Sequence, residues 1–181
     1  QGNGYPSDTC QADTTGTTTL AAALAEALGT TWVPEYGRQW SVERPGGLDR
    51  PWESEEFDLI AAEQSRQEDL AARTVPVPFL VADTDALATV VWHERYVGRR
   101  SPTVEALAQS RPPALYVLTG DEIPFVQDGL RDGEHLRGWM TQRFRDVLGG
   151  ETTPWVEVHG PHGERLSQAL RAATGITLER T

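Results

Sequence analysis

The chain contains no lysine, so all 16 of its basic residues are arginine. A chain without lysine has to bind phosphate through guanidinium groups, backbone N–H groups, a metal ion or a combination of these. Biased codon usage explains the absence well at surface positions. It is a weaker explanation at a catalytic position, where an ammonium group would neutralise developing negative charge.

The sequence is also poor in cysteine and lacks long apolar runs. Its one cysteine, Cys10, excludes an intramolecular disulfide and is typical of a reducing compartment. No apolar stretch approaches the roughly 18 residues that span a bilayer, and residues 1–10 show no signal-peptide pattern. We therefore expect a cytoplasmic protein that does not enter a membrane.

Length and charge narrow the class of protein further. A chain of 181 residues can bury one good core, so we expect a single domain over residues 1–181. Its formal net charge of −11 argues against a nucleic-acid partner, because nucleic acids are bound through clustered cations. Small molecules are the expected partners, and the sequence leaves the oligomeric state open.

Helix-like and strand-like segments alternate along the chain. Leu20, Leu24 and Leu28 recur every four residues among alanines, which predicts an amphipathic helix that ends at Gly29. Strands are predicted at 31–34, 79–82, 114–118 and 155–158, and helices at about 18–28, 53–73, around 90–92, from 102, at 134–148 and at 162–173. This order predicts a three-layer α/β fold with a mostly parallel sheet flanked by helices.

Polar residues follow several of these predicted strands. Glu35, Asp83 and Asp121 stand at or near strand ends, and ligands of such sheets bind outside the carboxyl ends of the strands. A site is therefore expected there. Residues 1–10 contain two glycines and a proline among polar side chains and do not read as a central buried strand, which is atypical for this class of fold.

A degenerate phosphate-loop pattern precedes the first helix. Residues 11–18 read QADTTGTT, against the pattern G-x-x-x-x-G-K-[ST]. The second glycine (Gly16) and the hydroxyl (Thr18) are present, but Gln11 replaces the first glycine and Thr17 replaces the lysine. On spacing alone, the alternative is a threonine-rich helix cap.

Longer stretches carry a family resemblance. The run DTTGTTTLAAALAEALGTTWVPEYGR (13–38), then Gln64, VADTDALAT (81–89) and PFVQDGLRDG (124–133) together resemble the NadR-type ribosylnicotinamide kinases, a family of P-loop kinases. The resemblance covers about residues 12–160. It implies a P-loop kinase fold with a five-stranded sheet, and transfer of a phosphoryl group from ATP, with Mg²⁺, to the 5′-hydroxyl of nicotinamide riboside.

The resemblance also assigns a role to each matching position. The catalytic residues that it implies are Glu35, Asp83 and Arg131. The ATP-binding residues that it implies are Asp13, Thr14, Thr15, Gly16, Thr17, Thr18 and Thr19. Contacts with the acceptor are implied for Glu35, Tyr36, Arg38, Asp85 and Asp128. Magnesium would be held by Thr18 and Asp83.

Each of these assignments has a structural alternative. Asp83 could cap the following helix, Glu35 could form a solvated ion pair with Arg38, and Arg131 could belong to a surface network of charges. A nicotinamide ring calls for aromatic stacking, but the sequence does not choose among its candidates, which are Tyr36, Trp40, Trp52 and Trp92.

The missing lysine leaves the function itself open among three hypotheses. In the first, an arginine supplies the absent charge and the enzyme is active; the candidates are Arg131, Arg38, Arg99 and Arg100. In the second, the domain binds nucleotide as a regulatory module with little or no turnover. In the third, the enzyme phosphorylates another nucleoside.

Overall fold

A computed structural model of the chain describes residues 16–47, 49–75, 77–122 and 137–179. Seven helices and four strands lie within these ranges. The helices are α1 (Thr17–Ala27), α2 (Tyr36–Glu43), α3 (Ser54–Ala72), α4 (Ala86–Val97), α5 (Pro102–Ser110), α6 (Arg137–Gly149) and α7 (His162–Glu179). The strands are β1 (Trp32–Val33), β2 (Val81–Ala82), β3 (Tyr116–Thr119) and β4 (Trp155–Val158).

The strands form two separate pairs, and both pairs are parallel. β1 pairs with β2, and β3 pairs with β4 from Tyr116↔Trp155 to Thr119↔Val158. The predicted five-stranded sheet is therefore wrong for the described part of the chain, which is a helix-rich α/β domain. β1 and β2 contain two residues each, and Pro34 directly after β1 lacks the N–H group that would extend its ladder.

Helix α1 packs against both strand pairs. It begins after Gly16, whose φ of 71° is a left-handed conformation that glycine adopts without strain. Its leucine stripe is buried through Leu20 and Leu24, in a cluster that includes Val81 of β2 and Val117 of β3. One apolar helix face therefore fixes the start of α1 at the same end of both strand pairs.

The larger core lies among α3, α4, α5 and α6. Phe57, Ile60, Val90, Val91 and Val104 are all buried in it. Full burial of an aliphatic or aromatic side chain stabilises a fold by roughly 1.5–3 kcal/mol. This core holds α3 and α4 in place, and these two helices form the walls of the cleft described below.

Most predicted elements are present, and helix α2 was missed. The strand at 155–158 is confirmed, and β3 begins two residues later than predicted. Helix α2 has eight residues, and only Tyr36 and Trp40, four positions apart, pack against the core, both partly buried. So short a pattern is a weak basis for predicting a helix. Helix α7 continues to Glu179, beyond the predicted end at 173.

No helix within the described ranges combines the length and the hydropathy that a membrane span requires. The cytoplasmic location expected from the sequence stays a prediction.

Candidate functional site

The first turn of α1 is hydrogen-bonded to the residues that end two strands. Thr18 Oγ1 donates to Asp83 Oδ2 at 2.6 Å, and Asp83 directly follows β2. Thr17 Oγ1 and Thr119 Oγ1 lie 3.0 Å apart, and Thr119 ends β3. The start of α1 therefore meets the carboxyl ends of strands from both pairs, where a parallel α/β fold binds its ligands.

This helix start has the geometry of an anion site. Its N-cap is Gly16, which has no side chain with which to cap the helix. The first N–H groups of a helix have no partner within the helix and carry partial positive charge, so they attract phosphate. In a chain without lysine, these N–H groups are part of what remains to bind a triphosphate.

Thr18 and Asp83 supply oxygen donors suited to magnesium. Mg²⁺ is typically held by one or two protein oxygens, with water and substrate phosphates completing its shell. Within the described ranges, no three His, Cys, Asp or Glu residues converge as metal ligands. The hydroxyl and carboxylate therefore fit a metal that arrives with a nucleotide rather than one held by a closed protein cage.

A cleft opens beside this pair, and we call it the Glu35 cleft. Its polar side includes Glu35, Arg38 and Thr84, and its aromatic side includes Trp52, Trp92 and Tyr96. Glu35 is the N-cap residue of α2, and Thr84 is the residue directly after Asp83. The cleft therefore begins one residue away from the Thr18–Asp83 pair.

The aromatic side of the cleft is a connected set of rings. The Trp52 ring centroid lies 5.2 Å from that of Phe57 and 5.3 Å from that of Tyr96, and Trp92 stacks on Tyr96 at 6.1 Å. Of the four aromatic candidates from the sequence, Trp52 and Trp92 line the cleft. Trp40 is instead hydrogen-bonded through Nε1 to Glu56 at 3.1 Å.

Gln64 holds the helix that carries Glu35 and Arg38. Its Oε1 accepts a hydrogen bond from the Tyr36 backbone N–H at 2.9 Å, while the Glu35 side chain does not cap α2. Gln64 is 1% exposed and lines the cleft from α3. The sequence signal for this role is an amide on the apolar face of α3, one turn after Ile60.

Asp85 is engaged at both of its carboxylate oxygens. Oδ1 accepts from the Leu87 and Ala88 backbone N–H groups at 2.9 and 3.1 Å, and Oδ2 accepts from the Tyr116 hydroxyl at 3.1 Å. Burial raises its pKa above the ordinary range for aspartate. These contacts are those of a helix cap, so the implied contact between Asp85 and the acceptor stays a prediction.

A second, half-buried acid interacts with Asp85. Burial, together with the Asp85 charge, raises the pKa of Glu68 to about 7. Glu68 Oε1 accepts from Gln64 Nε2 at 3.3 Å, and its other oxygen lies 3.8 Å from the Arg111 guanidinium. A titrating carboxyl is therefore linked through Gln64 to the start of α2.

Five implied site residues lie outside the described residues, so their roles stay predictions: Asp13, Thr14, Thr15, Asp128 and Arg131. Among the candidate replacement cations, Arg38 lines the Glu35 cleft. Arg99 Nη2 donates to Ser54 Oγ at 2.9 Å, and Arg100 Nε lies 2.8 Å from Glu105 Oε1. Neither of these two arginines lines the cleft.

A helix start that meets the carboxyl ends of parallel strands, with a threonine–carboxylate pair at its first turn, is typical of P-loop nucleotide-binding domains. The chain matches the family model described as AAA domain over residues 12–165, and it belongs to that family. The resemblance inferred from the sequence is thereby confirmed at the level of the P-loop domain.

The chain is also similar in sequence to two well-described proteins. Both are the trifunctional NAD biosynthesis/regulator protein NadR, one from Salmonella typhimurium (strain LT2) and one from Escherichia coli (strain K12). Each is 32% identical to this chain over 120 residues, which are 66% of this chain and 29% of the relative. The chain therefore spans less than a third of the length of these relatives.

Proposed function

We propose that this chain is a kinase that transfers the γ-phosphoryl group of ATP to nicotinamide riboside, giving nicotinamide mononucleotide. The proposal rests on one observation: the Thr18–Asp83 pair lies next to the Glu35 cleft, because Thr84, the residue after Asp83, lines that cleft. A phosphate-binding helix start and a pocket for a small acceptor thus share one edge of the domain. The likeness to two NAD biosynthesis proteins supports the choice of acceptor.

The nucleotide would lie at the start of α1. The N–H groups after Gly16 would bind its phosphates, and Thr18 and Asp83 would hold the magnesium ion that accompanies ATP. When bound, the ion neutralises charge on the phosphate oxygens. Phosphoryl transfer depends chiefly on such positioning and charge neutralisation.

The acceptor would occupy the Glu35 cleft with its 5′-hydroxyl toward Thr84. Glu35 would orient that hydroxyl and take its proton as the new P–O bond forms and the bond to the leaving ADP breaks. The nicotinamide ring is a planar cation, and the aromatic side formed by Trp52, Trp92 and Tyr96 offers ring faces to it. A cation is attracted to the face of an aromatic ring by about 0.5–2 kcal/mol.

Thr17 stands where the standard pattern has lysine, so another cation has to neutralise the charge on the γ-phosphoryl group during its transfer. Arg38 is the candidate of the described residues, because it lines the cleft beside Glu35. Arg131, which the resemblance implies, is the second candidate. Guanidinium groups bind phosphate oxygens through two parallel hydrogen bonds and can replace an ammonium group in this role.

The replacement of the loop lysine by Thr17 also favours an alternative function, a nucleotide-binding module with negligible turnover. Thr17 is hydrogen-bonded to Thr119 and supplies no charge. Losing one charge-assisted contact at a transition state costs about 3–4 kcal/mol where such donors have been removed. A module of this kind would still bind ATP–Mg²⁺ at α1.

Calorimetry combined with a product assay separates these functions. The protein is titrated with ATP–Mg²⁺ and then with nicotinamide riboside, and nicotinamide mononucleotide is detected by mass. Binding of both with product formation is the expected result. Nucleotide binding without product would establish the module, and product from a different nucleoside in a parallel panel would reassign the acceptor.

A further inference from the structure

Arg44 is buried beneath the Glu35 cleft and uses every donor that it has. Its side chain is 0% exposed and is paired with Glu56. Nε donates to Glu56 Oε1 at 2.8 Å and Nη2 donates to Glu56 Oε2 at 2.7 Å, so the pair is bidentate. Such planar pairing is specific to arginine, since a lysine ammonium is a point charge.

The remaining donors bind backbone carbonyls of the chain that leads into α3. Nη1 donates to Gly47 O at 3.1 Å and to Arg50 O at 2.9 Å, and Nη2 donates to Pro51 O at 3.1 Å. Together with the two bonds to Glu56, this makes one hydrogen bond for each of the five guanidinium N–H groups. The guanidinium therefore fixes the backbone immediately before Trp52.

The same guanidinium covers the Trp52 ring. Its central carbon lies 3.9 Å from the ring centroid. Trp52 lines the Glu35 cleft and contacts Phe57 and Tyr96 within it. Arg44 therefore restrains Trp52 in two ways. Its guanidinium contacts the ring through a cation–π interaction, and it donates a hydrogen bond to the carbonyl of the preceding residue, Pro51.

We propose that Arg44 is a positioning residue for the acceptor site, which acts by holding Trp52 as a fixed wall for the planar base of the acceptor. The proposal rests on the proposed function for the identity of the acceptor. The hydrogen bonds described above join Arg44 to residues 47–56 and none of them reaches α1. Acceptor affinity therefore depends on Arg44, and ATP affinity does not.

The kinetic test is a double-mutant cycle on nicotinamide riboside. Wild type, Arg44→Lys, Trp52→Leu and the double variant are compared by KM for the acceptor and for ATP. Each single variant is expected to raise the acceptor KM about tenfold, the size of one lost stacking contact, with the ATP KM unchanged. The double variant should be no worse than Trp52→Leu, because both changes remove the same wall.

A control variant separates this role from the general loss of a bidentate arginine–glutamate pair. Arg143 also forms a bidentate pair, with Glu94, through Nε at 3.1 Å and Nη2 at 2.8 Å, and it does not line the cleft. Arg143→Lys should leave both KM values unchanged. An unchanged acceptor KM in Arg44→Lys, an equal rise in the ATP KM, or simple additivity with Trp52→Leu would overturn the proposal.

Hydrogen exchange tests, without any substrate, whether Arg44 holds the backbone around Trp52. In Arg44→Lys, peptides covering residues 49–57 should exchange faster than in wild type, whereas those covering α1 and β3 should not. If wild type fails to phosphorylate nicotinamide riboside, the proposed function fails while this measurement still stands. Unchanged exchange at 49–57 would show that Arg44 does not hold the wall.

Discussion

The Thr18 hydroxyl donates a hydrogen bond of 2.6 Å to the Asp83 carboxylate across 65 positions of sequence. The neighbouring threonine, Thr17, forms its own contact with Thr119 at the end of the other strand pair. The two hydroxyls therefore anchor one helix start to both halves of the domain. Under the proposed function, Asp83 would hold the magnesium ion that accompanies the nucleotide.

Asp83→Asn is expected to lower turnover at least about 100-fold, the usual effect of losing one electrostatic contact with a transition state. The change keeps the size of the side chain but removes the charge that would bind magnesium. Initial rates of wild type and variant over a range of Mg²⁺ concentrations measure the loss of turnover. Asp146→Asn, at an exposed position on α6, is the control and should match wild type.

Thr17→Lys tests whether an arginine already supplies the positive charge that the loop lysine provides in the standard pattern. If an arginine already meets the transferring phosphoryl group, an added ammonium should raise kcat less than about tenfold. Thr103→Lys adds the same charge at an exposed position on α5 and controls for net charge. A rise of several hundredfold from a negligible wild-type rate would instead identify a nucleotide-binding module.

Arg131→Ala is expected to abolish turnover and to leave the melting temperature unchanged, because the resemblance implies that this guanidinium contacts the phosphates. Rates and thermal unfolding are measured on the same preparation. Full activity in this variant would eliminate Arg131 as the replacement cation and leave Arg38.

Gln64→Leu removes the acceptor of the Tyr36 N–H group from a buried position. An unsatisfied buried donor costs about 1–3 kcal/mol, so urea unfolding should show a loss of that size. The acceptor KM should rise as α2 loosens. Gln67→Leu lies on the same helix, where its amide donates to Glu63 at 3.0 Å, and it should change stability by less than the Gln64 variant.

Glu68→Gln should change how stability depends on pH. The folded pKa of Glu68, about 7, is raised above its ordinary value of 4.5 by burial and by the Asp85 charge, against the opposing effects of Gln64 and Arg111. Between these two pH values the folded state binds the proton more tightly than the unfolded state. The favourable contribution of the protonated carboxyl is therefore present below pH 4.5 and is lost as pH rises through about 7.

The variant is accordingly expected to be more stable than wild type at pH 8, by up to about 3 kcal/mol, with little difference at pH 4.5. Urea unfolding of both proteins at the two pH values measures the difference and cancels the titration of other groups. Asp69 is exposed nearby and its pKa is lowered by hydrogen bonds from Arg111, so Asp69→Asn should not reproduce the effect. Equal stability of wild type and Glu68→Gln at pH 8 would contradict the assignment.

Local signals in the sequence determined a good part of this protein. The leucine stripe of α1 and the strand β4 each depend on near neighbours, and each could be predicted. The family resemblance followed from local motifs as well: the AAA domain model matches residues 12–165, and the two NadR relatives match 120 residues of the chain.

The tertiary structure decided what depends on distant residues. Helix α2 is short and has no fully buried residue, and its first N–H group is satisfied by Gln64, 28 positions away. Trp52 lines the cleft and lies under the Arg44 guanidinium, whereas Trp40 does not line it and donates a hydrogen bond to the Glu56 carboxylate. Such choices follow from burial and charge in the packed domain, and no run of neighbouring residues encodes them.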